Sequence, residues 1–217
     1  MSVVELRRYL MRPGRRDELI ELFERAFIES QEACGMRVIG HYRVAGDPDT
    51  YLWFREFPDM RSRREALEAF YDRSHAWLSN RDAANATLLD SDNVLLLRPA
   101  REKSGFDVSG LTRAQGGEHM RFAALSIAML PGAADTAYVR SFEDEVLPKL
   151  REAAERVAYF VTEAAANDFR LPVRSGEHAF VAIGRARNAK QIEAWRQAFG
   201  DGPAEHLRLE PASRSLY

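Results

Sequence analysis

A few polar side chains near the start of the chain lie on segments that are otherwise apolar. Glu5, Arg7 and Tyr9 alternate along one predicted strand and so share a face, and His41 and Arg43 share a face of the next. Arginine stabilises enolate-like negative charge, and histidine transfers protons near neutral pH. These residues are candidates for proton transfer on a small molecule, although structural ion pairs and core packing use the same residue types.

His75 is the candidate general base of this set. It follows Ser74, a predicted helix N-cap, and the helix dipole at that position lowers the pKa of a histidine that is buried there. In this hypothesis Arg7 or Arg43 stabilises the developing negative charge. The alternative is that His75 lies exposed beside its cap and that Arg7 pairs with Glu5.

Large aromatic side chains predict an apolar pocket beside these polar groups. Trp53 lies on a predicted strand, and Tyr71 and Trp77 lie in the predicted helix pair of residues 60–88. A pocket between that sheet and those helices would bind a small, partly apolar molecule. Plain core packing of Trp53, Phe70 and Trp77 is the alternative. The further ligand contacts that we predict in this half are Tyr9 and His41.

A long loop in the second half is a further candidate site. Its sequence, NDFRLPVRSGE, runs from Asn167 to Glu177 and is longer than most hairpin connections. Asn167 and Arg174 are its directed polar groups, and both contact a ligand if the loop is a lid over a barrel mouth. The alternative, which we favour slightly, is a packed loop whose Arg174 pairs with a carboxylate.

Motifs of metal, nucleotide and hydrolase sites are missing from the sequence. The five histidines follow no metal-binding spacing, Cys34 is the single cysteine, and there is no glycine-rich phosphate loop and no GxSxG turn. We therefore predict no metal and no cofactor. A net charge of −2 argues against nucleic acid as a partner. Without a membrane-spanning apolar run or a secretory signal, we expect a cytoplasmic protein with no membrane partner.

One pattern of elements occurs twice along the chain. Pro13-Gly14 ends the first predicted strand, and Pro131-Gly132 ends an equivalent strand 118 residues later. We predict an α+β fold of two tandem ferredoxin-like (βαββαβ) units with antiparallel sheets. The predicted division is a unit at 1–100, a glycine-rich linker at 101–118 and a unit at 119–217. The predicted strands are 3–10, 37–45, 51–57, 94–97, 120–130, 157–165, 178–186 and 206–210.

Three local features carry more detailed expectations. Ser91-Asp92-Asn93 predicts a break before the short strand Val94–Leu97. Trp77 and Leu78 are predicted to face inward from the second helix of the pair. Pro148 predicts a kink or an early end of its helix.

Four stretches of the sequence carry a family resemblance. They are VVELRRYLMRPG at the start, WFREFPDM with the following RREAL and FY, AANAT with DSDNVLLLRP, and the loop NDFRLPVRSGE. Together they resemble the NIPSNAP family, a branch of the dimeric α+β barrel superfamily. The resemblance implies ferredoxin-like units paired into a barrel, and it implies no agreed reaction.

Two functions stay open at this point. The lack of a recognisable nucleophile or cofactor motif favours a protein that binds a small hydrophobic or aromatic molecule without turnover. Some barrel relatives are cofactor-independent oxygenases, so the resemblance implies, as the alternative, a monooxygenase or related enzyme acting on an aromatic or polyketide-like substrate. In that alternative His75 is the base and Trp53 positions the ring.

The assembly of the chain is a separate expectation. The predicted strands are apolar on both faces: in the strand 51–57, Leu52 and Phe54 point one way and Tyr51, Trp53 and Phe57 point the other. Helices can cover only one face of each sheet. A second sheet must cover the other face, so we predict a homodimer. Closure of the barrel within one chain is the alternative that the sequence leaves open.

Overall fold

Antiparallel strands form a closed barrel in the computed structural model of this chain, which describes residues 1–113, 122–200 and 202–217. Within those residues the strands are β1 (Val3–Met11), β2 (Arg37–Val44), β3 (Asp47–Phe57), β4 (Leu88–Pro99), β5 (Phe122–Leu130), β6 (Glu155–Thr162), β7 (His178–Ala186) and β8 (Ala204–Pro211). Their order around the barrel is β1-β3-β2-β8-β5-β7-β6-β4. Each half of the chain therefore contributes four strands, with its first strand between its last and its third.

Helices pack on the outside of this barrel. In the described ranges they are α1 (Arg16–Leu22), α2 (Ile28–Ala33), α3 (Met60–Glu68), α4 (His75–Asn85), α5 (Thr136–Ser141), α6 (Leu147–Ala153) and α7 (Ala189–Phe199). A π-helical turn follows α1, α3 and α5, and these turns are Phe23–Phe27, Ala69–Arg73 and Phe142–Val146. None of the helices in the described part of the chain is long and apolar enough to cross a membrane.

The two halves join along two antiparallel seams. At one seam β2 pairs with β8, where Tyr42 lies opposite Pro211. At the other β4 pairs with β6, where Leu97 lies opposite Thr162. The predicted α+β fold with antiparallel sheets is confirmed, and the barrel closes within one chain.

Strand alternation separates an inner core from the outer ones. Leu52 and Phe54 of β3 point into the barrel with Leu6 of β1, whereas Tyr51 and Trp53 point outward beneath the first-half helices. The alternation predicted for this strand is confirmed. A third apolar cluster lies between the second-half sheet and its own helices.

The strand β4 is longer than predicted. The expected break at 91–93 lies inside it, because β1 offers backbone partners as far as Met11, which lies opposite Leu88. Register shifts along this pairing accommodate the irregular residues. The prediction of a short strand confined to Val94–Leu97 is therefore wrong.

Two expectations for helices also need correction. Leu78 is exposed rather than inward, and the buried Ala84 and half-buried Trp77 hold the inner side of α4. Pro148 does not end its helix, because the helical run continues from the π-helical turn Phe142–Val146 directly into α6 and on to Ala153. Residues 114–121 lie outside the described ranges, and so does that part of the predicted linker and of the strand 120–130.

Candidate functional site

A cavity of about 270 Å³ lies between the outer face of the first-half sheet and the first-half helices. The sheet contributes Tyr9 and Trp53 to its walls. The remaining aromatic walls come from the helical side, and four of those five side chains belong to the two π-helical turns of this half. These five are Phe23, Phe27, Phe70, Tyr71 and Trp77.

Strand pairing brings the polar and aromatic parts of the wall together. Glu5, Arg7 and Tyr9 alternate along β1 and face outward, away from the barrel interior. In the register of β1 with β3, Arg7 lies opposite Trp53. The guanidinium carbon of Arg7 lies 5.7 Å from the Trp53 ring centre and 5.4 Å from the Tyr9 ring centre. The cavity floor is therefore a cation between two aromatic rings.

A buried carboxylate anchors this floor. Glu5 has no exposed surface, and its Oε2 accepts hydrogen bonds from Arg7 Nη1 at 2.7 Å and from Arg55 Nε at 2.8 Å. Its Oε1 accepts from Arg63 Nε at 2.7 Å. Burial alone would raise the pKa of Glu5, but the guanidinium groups of Arg55, Arg7 and Arg63 hold it well below its usual range. Glu5 is therefore ionised.

The outer members of this cluster have partners of their own. Arg55 Nη1 donates to Gln31 Oε1 at 3.1 Å and to the Tyr71 hydroxyl at 3.3 Å. Arg63 Nη1 lies 3.0 Å from Asn167 Oδ1 and 3.2 Å from Asp168 Oδ1. The loop between β6 and β7 thus reaches across from the second half and closes over the first-half cluster.

Three hydrogen-bond donors at the cavity have no acceptor among the described residues. Arg7 uses Nη1 for Glu5 and Nε for the Tyr9 hydroxyl at 2.8 Å, which leaves Nη2 without a partner. The Tyr9 hydroxyl accepts that bond, and its own proton has no acceptor in the same ranges. The buried indole N–H of Trp53 is also unpaired. Of the three, the indole N–H is the one that is both buried and without any partner in these ranges. A ligand with acceptor atoms in the cavity would accept hydrogen bonds from Arg7 Nη2 and from the Tyr9 hydroxyl.

Proton abstraction is harder to support in this cavity. The side chains that line it within the described ranges include no histidine, aspartate or glutamate. Burial raises the pKa of Tyr9, although Arg7 opposes this shift, so Tyr9 is protonated near neutral pH. In the described part of the chain no group of three or more His, Cys, Asp or Glu side chains is placed to hold a metal ion. The arrangement is suited to holding and polarising a molecule.

Five of the residues proposed from sequence lie together at this cavity. They are Arg7, Tyr9, Trp53, Tyr71 and Trp77. Their convergence depends on strand alternation in β1 and β3 and on the packing of α4 against the second π-helical turn, where the Tyr71 and Trp77 rings meet at 4.8 Å.

Three other proposed residues lie elsewhere. His75 is exposed at the start of α4, where its Nε2 lies 3.3 Å from Ser79 Oγ, and it is not part of the cavity wall. Burial there was the condition for its role as a base, and the structure does not meet it. Arg43 pairs with Asp17 at 2.8 Å on the surface. His41 is fully buried and packs on Phe23, with ring centres 5.2 Å apart, outside the cavity wall.

The two proposed loop residues, Asn167 and Arg174, lie at different places in the structure. Asn167 belongs to the ionic cluster through Arg63. Arg174 pairs with Glu177 and lines a second cleft of about 230 Å³ near the barrel interior, where Arg8 and Glu205 also lie. The carboxylate partner expected for Arg174 is present, and neither residue is part of the first cavity wall.

Arg55 and Arg63 were missed from sequence, although both had a recognisable signal. Arg55 is two residues from Trp53 and from Phe57 in an aromatic strand, so it shares their outward face. Arg63 precedes Leu67 and Phe70 at helical spacing and shares their inward side. A charged residue on an apolar face marks a buried partner, but only the folded chain shows that the partner is Glu5.

Comparison with known proteins identifies the first half of the chain. Residues 4–101 match the NIPSNAP family model. We refer to these residues, by that match, as the NIPSNAP domain. A NIPSNAP family protein from Agrobacterium tumefaciens strain C58 is 20% identical and covers 47% of this chain and 96% of its own, with a TM-score of 0.42. The family match confirms the predicted resemblance over residues 4–101, which hold most of the cavity wall.

Two solved structures align with the NIPSNAP domain and the second half together. A candidate monooxygenase from Lactobacillus acidophilus NCFM is 13% identical, covering 99% of this chain and 97% of its own, with a TM-score of 0.57. A second, from Fusobacterium nucleatum, is 9% identical and covers 97% and 92%, with a TM-score of 0.59. Both show the fold of the whole chain. A comparison with curated proteins finds no match in sequence.

Proposed function

We propose that the cavity of the NIPSNAP domain binds a small, largely aromatic molecule. What supports this most directly is a cavity of about 270 Å³ with aromatic walls beside Arg7 Nη2 and the Tyr9 hydroxyl, two donors that have no acceptor in the described ranges. Protein interiors are normally packed without such voids, and ligand pockets begin at roughly 300 Å³. A molecule of one or two rings matches the size, and its acceptor atoms would pair with the donors.

Thermal stabilisation by aromatic compounds tests this function. The probes are 2-naphthamide and 2-naphthoate, and the measurement is the melting temperature together with quenching of Trp fluorescence, since Trp53 and Trp77 line the cavity. We expect at least one probe to raise the melting temperature. If no aromatic probe in a broader panel changes either signal, the cavity has no such ligand.

A cavity-filling substitution tests whether the ligand binds in this cavity. Ala84→Leu adds apolar volume at a buried wall position of α4, and steric overlap should weaken binding about tenfold or more. Ala76→Leu makes the same change on the same helix outside the cavity wall and serves as the matched control. Equal binding by both variants would place the ligand elsewhere.

A second candidate function is a cofactor-independent monooxygenase or related enzyme acting on an aromatic or polyketide-like substrate. The fold shared with two candidate monooxygenases over almost the whole chain supports it. In this alternative Arg7 and Tyr9 hold an enolate-like oxygen, Trp53 positions the ring, and the substrate itself supplies the electrons that reduce O₂. The described cavity wall has no histidine, aspartate or glutamate to act as a general base, which favours binding alone.

Oxygen consumption separates the two functions. Electron-rich phenols and hydroquinones are supplied to the protein without added metal, and O₂ uptake is followed with an electrode. Turnover that is lost in Arg7→Met and kept in Arg43→Met would support the enzyme. Binding without any uptake above the protein-free rate would support a binding protein.

We also propose that the chain is a tandem of two ferredoxin-like units, at 1–100 and 119–217, with a linker at 101–118. The matching strand order in the two halves supports this division. The homodimer and the cytoplasmic location stay predictions. The reason given for a dimer, an uncovered apolar sheet face, is already met inside the chain by the second sheet.

A further inference from the structure

The ionic cluster under the cavity contains more positive than negative charge. We infer that the ligand of the NIPSNAP domain is an aromatic compound bearing an oxyanion, which binds against Arg7 and Tyr9. This inference rests on the binding function proposed above and adds the charge of the ligand. The shared chemistry is an anionic oxygen on an aromatic ring, either as a carboxylate or as an ionised phenol.

Counting the charges of the cluster supports this. Within the described residues the cluster contains three guanidinium groups, those of Arg7, Arg55 and Arg63, and two carboxylates, those of Glu5 and Asp168. Glu5 forms an ion pair with each of the three arginines, and Asp168 forms one with Arg63. One positive charge is therefore uncompensated. A buried charge without a counter-charge is strongly unfavourable, so this cluster favours an added anion.

Arg7 is the arginine of this cluster that borders the cavity. All three arginines share Glu5, because Arg7 Nη1 and Arg55 Nε both donate to Oε2 and Arg63 Nε donates to Oε1. Arg63 also has Asp168 at 3.2 Å. Nη2 of Arg55 and of Arg63 also has no hydrogen-bond partner among the described residues, but it is buried in both. Of the three arginines only Arg7 lines the cavity, and its Nη2 has no partner in the described ranges, so Arg7 is the one that a ligand can reach.

The cavity wall matches an anion in its other charges as well. Of the charged side chains that line it in the described part of the chain, Arg7 and Arg170 are both cationic, and no carboxylate is among them. Tyr9 has a hydroxyl proton left to donate after accepting from Arg7 Nε at 2.8 Å. An oxyanion beside Arg7 would therefore meet a guanidinium and a phenol, while the ring of the ligand meets Tyr71 and Trp77.

Matched probes that differ only in charge test the inference. Binding of 2-naphthoate is compared with that of 2-naphthamide, and binding of 4-nitrophenol at about pH 8, where it is ionised, with that of 4-nitroanisole. Calorimetry on the full chain gives each affinity. Hydrogen bonds to charged groups predict that each anion binds about ten- to a hundred-fold more tightly than its neutral partner.

The variant Arg7→Met removes the proposed contact and keeps the length of the side chain. It leaves Arg55 and Arg63 against Glu5 and Asp168, so the cluster becomes balanced in charge and is expected to fold. Naphthoate should lose its preference over naphthamide, while naphthamide binding should stay. Arg43→Met removes an arginine from the same half, outside the cavity, and should keep the preference.

The outcomes distinguish this inference from the binding function. If naphthamide binds as tightly as naphthoate to the wild type, the oxyanion is wrong and the aromatic cavity stands. If no aromatic probe binds, the binding function itself fails. Acetate that binds as tightly as naphthoate would show a site for a small anion alone and would also overturn the inference. The comparison on the wild type is decisive even if Arg7→Met does not fold.

Discussion

Single buried ionisable groups in this protein differ in charge state because their neighbours differ. Glu5 and His41 are both fully buried, and burial alone disfavours the charged form of each. Three guanidinium groups in contact with Glu5 reverse that effect and keep it ionised. His41 has no hydrogen-bond partner for either ring nitrogen within the described ranges and is neutral.

The groups around His41 explain why its pKa is lowered. Burial is the main cause that lowers its pKa to about 3, and the cations Arg113, Arg43 and Arg214 lower it further. The carboxylate of Glu24 lies 3.5 Å from Nε2 and favours a protonated ring, but it is outweighed. An unfolded histidine titrates near pH 6.5, so between about pH 6.5 and about pH 3 the unfolded state holds more protons.

The first prediction at this scale is a pH-dependent stability that belongs to His41. Because the unfolded state gains the proton, the free energy of unfolding falls as the pH drops, by up to about 1.4 kcal/mol per pH unit near pH 5. His41→Phe keeps a ring at the site and should remove that contribution. Urea unfolding at about pH 7 and about pH 5 measures it. His75→Phe, at an exposed position, is the control, and an unchanged slope in His41→Phe would contradict the assignment.

At the scale of elements, the helical side of each half decides whether a cavity forms. In the first half two π-helical turns place Phe23, Phe27, Phe70 and Tyr71 around a space. π-helical turns are frequent at functional sites because the extra residue redirects the side chains around it.

The second half fills the corresponding region. Outward positions of β5 hold the small residues Ala124, Ser126 and Ala128, where β1 has Glu5, Arg7 and Tyr9 in the same alternation. Trp195 of α7 is buried and donates from its indole nitrogen to Ser126 Oγ at 2.9 Å. Phe142 of the third π-helical turn packs on Phe180, with ring centres 4.6 Å apart. This half therefore has a closed core.

The loop between β6 and β7 covers the cavity from the second half. Leu171 and Arg170 line the space, and Phe169 packs near Tyr71, with ring centres 6.1 Å apart. Arg170 is tied to Asp72 of the second π-helical turn by an exposed ion pair of 2.5 Å. Asn167 and Asp168 hold the start of the loop on the buried Arg63, so opening involves the part of the loop that the exposed ion pair holds.

We predict that this ion pair controls the rate of ligand exchange. Asp72→Asn should raise both the association and the dissociation rate of naphthoate in stopped-flow Trp fluorescence. The equilibrium affinity should change by less than about 1 kcal/mol, because exposed ion pairs contribute little. Glu177→Gln breaks the other exposed ion pair of this loop, with Arg174, and should leave the rates unchanged. Identical rates in wild type and Asp72→Asn would show that the loop does not gate the cavity.

For the whole molecule, closure of the barrel within one chain decides the stability of each half. The inner faces of both sheets are apolar, and each half covers the other. Each seam is short: β2 pairs with β8 from Tyr42 to Val44, and β4 pairs with β6 from Leu97 to Pro99. Separation of the halves would expose these strand edges together with the inner face.

We therefore predict that a fragment of residues 1–100 self-associates. A second copy of the fragment would replace the missing sheet, so light scattering should give twice the mass of the fragment or more. The full chain at the same concentration is the control, and the same run tests the predicted homodimer against the chain mass of 24.7 kDa. A folded, monomeric fragment would show that the second half is not needed to cover the inner face.

The sequence by itself determined which side chains share a face of their own strand. Period-two alternation identified the shared face of Arg7 and Tyr9 on β1 and of Tyr51 and Trp53 on β3, and these residues indeed lie outward. Local stretches also identified the NIPSNAP domain, which the family match over residues 4–101 confirms. Such features depend on residues close together in the chain.

Only the tertiary structure decided which elements meet. Arg55, Arg63 and Asn167 converge on the neighbourhood of Glu5 from 50 or more positions away, and no local pattern specifies that convergence. The same is true of the exposure of His75, of the burial of His41, and of closure within one chain. These outcomes depend on long-range strand pairing and on the packing of helices against the sheet, which periodicity along the chain does not encode.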